Sequence, residues 1–238
     1  MTLEPFPTDW TRALCIAAHP DDLEYGTAAA VAAWTDAGKE ISYLLATRGE
    51  AGIASMAPGQ AGPLREQEER DGAREVGVHT VDFLEGFADG VVEGGLGLRR
   101  DLAREIRRLR PELVTTMTYA DVFPSGGLNQ ADHRAVGLAT IDAVAAAGNR
   151  WIFPELVEEG LEPWEGVRWI AVTGTSNPTH VMDVTETFDR AVASLAAHAE
   201  YLLALGPHYP TPSELLGQIL GDPDQPGRYH WAATVHAR

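Results

Sequence analysis

Short apolar runs alternate with helical patterns as far as Ala147, and this alternation constrains the fold more than any other feature of the sequence. The first run, residues 14–18, is continuous and apolar, which is typical of a strand buried on both faces of a parallel sheet. A polar loop follows, and then an alanine-rich segment, residues 27–37, ends at Gly38, a favourable helix C-terminus. This order recurs three times and predicts an α/β fold, a mostly parallel sheet with helices on both faces.

The same patterns predict where the individual elements lie. Strands are expected at 14–18, 41–46, 80–84, 113–118, 169–172 and 180–184. Helices are expected at 27–37, 64–76, 98–109, 134–147 and 188–205, the last as one long amphipathic helix. Two long loops, 47–63 and 119–131, each follow a predicted strand. Prolines and glycines interrupt the pattern from Pro207 onward, so we expect one domain over residues 1–238 with an irregular C-terminal segment, 207–238, holding a short helix near 214–219.

Charge and cysteine content exclude several classes of protein. The formal net charge is -17, which argues against a general nucleic-acid or anionic-membrane binder, because both need a basic surface. The single cysteine, Cys15, permits no disulfide within the chain and fits a reducing compartment. Residues 1–10 lack the features of a signal peptide, and no apolar run has transmembrane length. We expect a cytoplasmic protein that binds neither nucleic acid nor membrane, and a homo-oligomer remains open.

Four residues immediately after the first predicted strand carry the strongest chemical signal: His19, Pro20, Asp21 and Asp22. Functional groups collect at the carboxyl ends of strands in open α/β sheets. Imidazole and carboxylate are good ligands for a metal such as zinc, and Pro20 stiffens the loop that presents them. One of two adjacent carboxylates should bind the ion while its neighbour stays free for proton transfer.

A catalytic zinc commonly takes three protein ligands, so the chain must supply a third. The best candidate is His133, at the end of the loop after the fourth predicted strand, which can reach the first loop. Asp132 could orient the His133 ring, or it could cap the helix that begins there. The other histidines are expected to be solvated or satisfied structural residues: 79, 180, 198, 208, 230 and 236.

The sequence from Ala18 to Asp22 resembles the AHPDD signature of the LmbE-like (PIG-L) deacetylases, and Asp132-His133 resembles the second metal motif of that family. Further similarity covers nearly all of the chain, in segments 24–27, 47–52, 65–78, 132–137, 149–150, 153–156 and 183–198. The resemblance implies a Rossmann-like α/β domain and a hydrolase that cleaves an amide C–N bond. Its implied substrate is a small N-acylated amino-sugar conjugate, most simply one that carries an N-acetylglucosamine-like group.

The resemblance also implies roles for individual residues. One zinc ion per chain is expected to bind His19, Asp22 and His133, with Asp21 as the general base. Asp132 is expected to be a further catalytic-site residue because of its place beside His133, and not from the resemblance. Zinc would lower the pKa of bound water and polarise the amide carbonyl, while Asp21 takes the water proton and returns it to the leaving amine.

Two substrate-binding candidates, Arg48 and Gln130, leave alternatives open. Arg48 is expected to contact a polar part of the substrate, or else to form a salt bridge with Glu50 or another acid. Gln130 stands where the family often has histidine; an amide can donate a hydrogen bond to an oxyanion but cannot deliver a proton near neutral pH. The alternatives to a deacetylase are therefore an amidase acting on a larger thiol or sugar conjugate, and a metal-binding family member without efficient catalysis.

Overall fold

A computed structural model describes residues 2–238. The strands form one eight-stranded sheet in the order β1-β7-β8-β6-β5-β2-β3-β4. The strands are β1 (Glu4–Pro5), β2 (Arg12–Ala17), β3 (Glu40–Leu45), β4 (Thr80–Phe83), β5 (Leu113–Met117), β6 (Trp169–Thr173), β7 (His180–Asp183) and β8 (His230–Ala237). All neighbouring pairs are parallel except the two that involve β8, so the predicted mostly parallel sheet is confirmed.

Helices cover both faces of this sheet, as the strand–helix alternation predicts. They are α1 (Asp22–Gly26), α2 (Ala28–Asp36), α3 (Pro58–Glu75), α4 (Leu96–Leu109), α5 (Ala131–Ala147), α6 (Glu155–Glu158), α7 (Phe188–Ala196), α8 (Ala199–Ala204) and α9 (Pro212–Leu220). A short 3₁₀ turn, Thr185–Thr187, precedes α7.

Alternate residues of β2 enter two separate hydrophobic clusters. Cys15 and Ala17 pack into the cluster beneath α2, α7 and α9. Leu14 and Ile16 pack into the opposite cluster, beneath α4 and α5. Because side chains of a strand point alternately to its two faces, a strand covered on both sides needs an uninterrupted apolar run.

Residues 58–63, which we assigned to a loop, instead form the first turns of α3. Pro58 occupies the first turn, where its missing N–H has no intrahelical partner in any case. Pro63 lies inside the helix, and the carbonyl left without a donor belongs to the exposed Gly59. The loop prediction for residues 58–63 was therefore wrong because it rested on prolines at positions that a helix tolerates.

The predicted helix 188–205 is divided into α7 and α8. Its break falls at His198, the N-cap residue of α8, whose side chain is completely buried. A long amphipathic pattern does not distinguish one helix from two consecutive helices that pack on the same core.

The segment 207–238 is more regular than predicted. It contains the capped helix α9 and the eight-residue strand β8, which pairs with β6 on one side and β7 on the other. Trp231 and Ala233 alternate into the core along β8, a pattern of period two that the neighbouring prolines and glycines obscured. Within residues 2–238, no helix combines the length and apolarity needed to cross a membrane.

Candidate metal centre and active site

The carboxyl ends of the paired strands β2 and β5 bring two distant parts of the chain together. The loop after β2 carries His19, Asp21 and Asp22, while the loop after β5 leads to His133 in the first turn of α5. Parallel pairing places these strand ends at the same edge of the sheet. The sheet topology therefore brings together residues that are more than a hundred positions apart in the sequence.

His19, Asp22 and His133 offer ligand atoms that all lie within 4.8 Å of one another. Asp22 stands between the two imidazoles, with Oδ2 3.5 Å from His19 Nδ1 and Oδ1 3.1 Å from His133 Nε2. His133 Nε2 is buried and has no hydrogen-bond partner, although it lies 3.1 Å from Asp22 Oδ1. An unpartnered ring nitrogen facing a carboxylate is the arrangement that a metal ligand requires.

The His133 ring is oriented by Asn129. Asn129 Nδ2 donates to the carbonyl oxygens of Thr118 at 2.8 Å and Ala120 at 2.9 Å, which fixes its amide so that Oδ1 faces His133 Nδ1 at 2.9 Å. His133 Nδ1 must therefore carry the proton, and the lone pair of Nε2 is free for a metal. Asn129 lies just before α5 and four residues before His133. This spacing was the sequence signal available for the pair.

The Asp132 carboxylate pairs with the other histidine, contrary to both interpretations of the sequence. Asp132 Oδ2 lies 3.2 Å from His19 Nε2, and the carboxylate also accepts from the backbone N–H groups of Gly90 and Val92. The N-cap of α5 is Gln130, without a side-chain capping bond, so Asp132 neither orients His133 nor caps the helix. It instead keeps a proton on His19 Nε2, which leaves Nδ1 to face Asp22.

A further carboxylate that the sequence did not reveal, Asp89, lies 3.1 Å from His19 Nε2. Burial alone would lower the pKa of His19, but the carboxylates of Asp132, Asp22 and Asp89 outweigh it and raise that pKa to about 12. Burial raises the pKa of Asp22, yet its contacts with the two histidines hold that pKa well below the usual range. An excess of carboxylates over imidazoles at one buried place fits a divalent cation.

Asp21 is buried and has a backbone φ of 83°, in the left-handed region that non-glycine residues rarely adopt. Its Oδ2 accepts a hydrogen bond of 2.9 Å from Arg65 Nη2. Burial raises the pKa of Asp21 to about 7, although the Arg65 charge opposes the shift. A buried carboxylate whose pKa lies near neutrality can exchange a proton with a reacting group.

Arg65 of α3 joins the two loops that border the site. Nη2 also donates to Pro20 O at 2.7 Å, and Nη1 donates to Gly49 O at 3.0 Å. A Cβ atom on Gly49 or Gly52 would lie 2.1 or 2.4 Å from Nη1, so the guanidinium occupies the space of two absent side chains. No motif in the sequence singles out Arg65, which lies in a highly charged helix.

The structure does not bring Arg48 and Gln130 into hydrogen-bond contact with the metal candidates. Arg48 forms salt bridges with Glu66 at 3.0 Å and Glu85 at 2.7 Å, so the acid that pairs with it is not Glu50. Glu50 accepts from the Arg48 backbone N–H instead. Gln130 is solvent-exposed at the start of α5, and its substrate contact stays a prediction.

Among residues 2–238, two other groups of side chains have the spacing of possible metal ligands. One shares His19 and combines it with Asp89 and Asp132. The other, formed by Glu24, Glu69 and His198, is completely separate in its residues.

Comparison with known proteins supplies the family context. Residues 14–144 match the family model described as PIG-L, GlcNAc-PI de-N-acetylase. Diacetylchitobiose deacetylase of Thermococcus kodakarensis is 27% identical over 82% of this chain and 71% of its own length. A 1D-myo-inositol 2-acetamido-2-deoxy-alpha-D-glucopyranoside deacetylase of Kineococcus radiotolerans is 28% identical over 79% of this chain and 68% of its own.

The fold agrees with that of a solved deacetylase. N,N'-diacetylchitobiose deacetylase from Pyrococcus horikoshii superposes with a TM-score of 0.83, covering 96% of this chain and 85% of that one at 23% identity. The predicted Rossmann-like α/β class is thereby confirmed. With the matched segment extending from β2 through most of α5, the chain belongs to the PIG-L (LmbE-like) family of de-N-acetylases.

Proposed function

We propose that this protein is a zinc-dependent amide hydrolase that removes the acetyl group from an N-acetylglucosamine-like conjugate. The observation that carries the proposal is the convergence of His19, Asp22 and His133, with Asp21 beside them, in a chain of this family. Relatives named for deacetylating acetylated amino sugars support the same substrate class.

The ligand set favours zinc. Two imidazole nitrogens and one carboxylate oxygen are typical of catalytic zinc sites, which keep a position open for water. A bound zinc ion would lower the pKa of water and polarise the amide carbonyl. Asp132 and Asn129 hold the two rings so that Nδ1 of His19 and Nε2 of His133 point to the same place.

Asp21 acts as the general base in this proposal. Arg65 donates to Oδ2, and the Asp21 carboxylate takes the proton of the attacking water. The leaving amine needs a proton, and Asp21 returns the one it received. Gln130 cannot supply that proton, although its amide can donate a hydrogen bond to the tetrahedral oxyanion.

A direct assay tests the proposal. Zinc-loaded protein is incubated with a panel of N-acetylated amino-sugar conjugates, and free amine and acetate are measured. The Asp21→Asn variant serves as a control, since it should retain zinc and lose turnover by orders of magnitude. Absence of amine release across the panel, with one zinc bound, would overturn the deacetylase assignment.

The same panel separates the alternative functions. Conjugates with longer acyl groups or a thiol-bearing arm distinguish an amidase, which would prefer them to the acetylated forms. Equal and negligible rates for the parent protein and Asp21→Asn, both fully metallated, would indicate a metal-binding member without efficient catalysis.

A further inference from the structure

A cluster of three ionisable side chains lies in the core beside the candidate base. Glu24, Glu69 and His198 come from α1, α3 and the start of α8, and their side chains have no solvent exposure. His198 Nε2 lies 3.6 Å from Glu24 Oε2 and 3.8 Å from Glu69 Oε2, beyond hydrogen-bonding distance. Burying three ionisable side chains together costs free energy, so we expect this cluster to have a structural role.

One contact connects this cluster to the active site. Glu69 Oε2 accepts the backbone N–H of Asp21 at 3.0 Å, a contact that joins positions 48 residues apart. Asp21 has a positive φ, so its backbone conformation has to be imposed by surrounding groups. The acceptor of its N–H is therefore one of the groups that determine where its carboxylate points.

The carbonyl on the other side of the same peptide bond is held as well. Arg65 Nη2 donates to Pro20 O at 2.7 Å, so the C=O and the N–H of the Pro20–Asp21 peptide are both bound by side chains of α3. Arg65 and Glu69 are four residues apart and project from the same face of the helix. Two side chains on one rigid helix thus fix the plane of the peptide that precedes the Asp21 side chain.

We propose that Glu69 is a positioning residue for catalysis: together with Arg65 it clamps the Pro20–Asp21 peptide and thereby aims the Asp21 carboxylate at the reacting water. The proposal rests on the proposed role of Asp21 as the general base. It assigns Glu69 no contact with substrate and no proton of its own.

Glu69→Met is the most informative variant, because methionine has a similar shape and cannot accept the Asp21 N–H. Displacement of a catalytic group by about 1 Å can cost about 100-fold in rate, so we expect kcat to fall by about 10- to 100-fold. KM should change by less than about threefold, and zinc content should be unchanged, because neither depends on the aim of the base.

Two matched variants separate positioning from general packing. Glu69→Gln retains an oxygen that can accept the N–H and should restore most of the kcat. Glu68→Met alters the adjacent buried acid, which accepts from the Glu200 backbone and not from the Asp21 N–H, so its kcat should be close to that of the parent. Equal losses in the Glu68 and Glu69 variants, or no rescue by glutamine, would overturn the proposal.

Two structural measurements keep the test independent of the substrate assignment. A crystal structure of Glu69→Met should show Asp21 with a changed φ or a rotated carboxylate, and an unchanged Asp21 would contradict the proposal even if the deacetylase assay fails. If Glu69→Met does not fold, amide hydrogen exchange in the parent protein decides the question. The clamp predicts slow exchange at Asp21 N–H, and exchange at the rate of an open loop would overturn it.

Discussion

Arg65→Met should be among the most destabilising single substitutions in this chain. The Arg65 side chain is 3% exposed and pairs with Asp21, whose side chain is 6% exposed. Methionine would remove the guanidinium that opposes the burial penalty on the Asp21 carboxylate and would release the carbonyls of Pro20 and Gly49. Breaking a buried ion pair from one side costs about 3–5 kcal/mol, and we expect the free energy of unfolding to fall by roughly that amount.

A double-mutant cycle with Asp21→Asn isolates the pair. Asp21→Asn leaves the Arg65 guanidinium buried without its carboxylate, and Arg65→Met leaves Asp21 buried without its guanidinium, whereas the double variant leaves neither partner behind. The two single losses should therefore exceed the loss in the double variant by roughly 2–3 kcal/mol.

Urea unfolding followed by tryptophan fluorescence measures these free energies, with a chelator present so that bound metal does not add stability of its own. All four proteins need comparable m-values for the cycle to be valid. A coupling energy below about 0.5 kcal/mol, the level of additivity between independent sites, would refute the claim that Arg65 and Asp21 form an energetically linked pair.

The other substitutions probe the ligand supports and the C-terminal strand. Asn129→Ala should weaken zinc binding by about 10- to 100-fold, because His133 loses the group that fixes its ring; competition with a chromophoric chelator measures this. Asp132→Ala should weaken zinc binding by a similar factor through His19, and an unchanged affinity in either variant would contradict the assigned support. Trp231→Ala, in a strand between two others, should cost about 3–5 kcal/mol in urea unfolding, whereas a loss below about 1 kcal/mol would indicate a loosely packed tail.

The sequence predicts the first motif well because its residues are contiguous. His19, Asp21 and Asp22 follow a strand whose continuous apolar run predicts burial on both faces. The parallel topology of the sheet explains why His133 lies close to them. These inferences need only local pattern and the rule that strand ends share an edge.

The supporting residues were missed for the opposite reason. Arg65 and Glu69 lie in a highly charged helix, and nothing in that helix distinguishes a solvated acid from one that accepts a backbone N–H 48 residues away. Asp89 lies in a loop with no motif of its own, and it is recognised only by its distance from His19. Side chains whose role depends on a single tertiary contact carry little periodic signal.

The C-terminal strand illustrates a competing signal. Prolines and glycines between α9 and β8 predicted irregular structure, yet the alternation of Trp231, Ala233 and Val235 was already present. Residues 230–237 become a strand because β6 and β7 each offer an open edge. Pairing with strands that are distant in sequence therefore determined the conformation of this segment, despite the turn-forming residues next to it.

Anomalous diffraction from crystals of the zinc-loaded protein would test the metal centre most directly. We predict one strong peak at the zinc edge, within coordination distance of His19 Nδ1, an Asp22 carboxylate oxygen and His133 Nε2. A peak among His19, Asp89 and Asp132, or among Glu24, Glu69 and His198, would contradict this ligand assignment, as would a fully metallated protein with no ordered peak at Asp22.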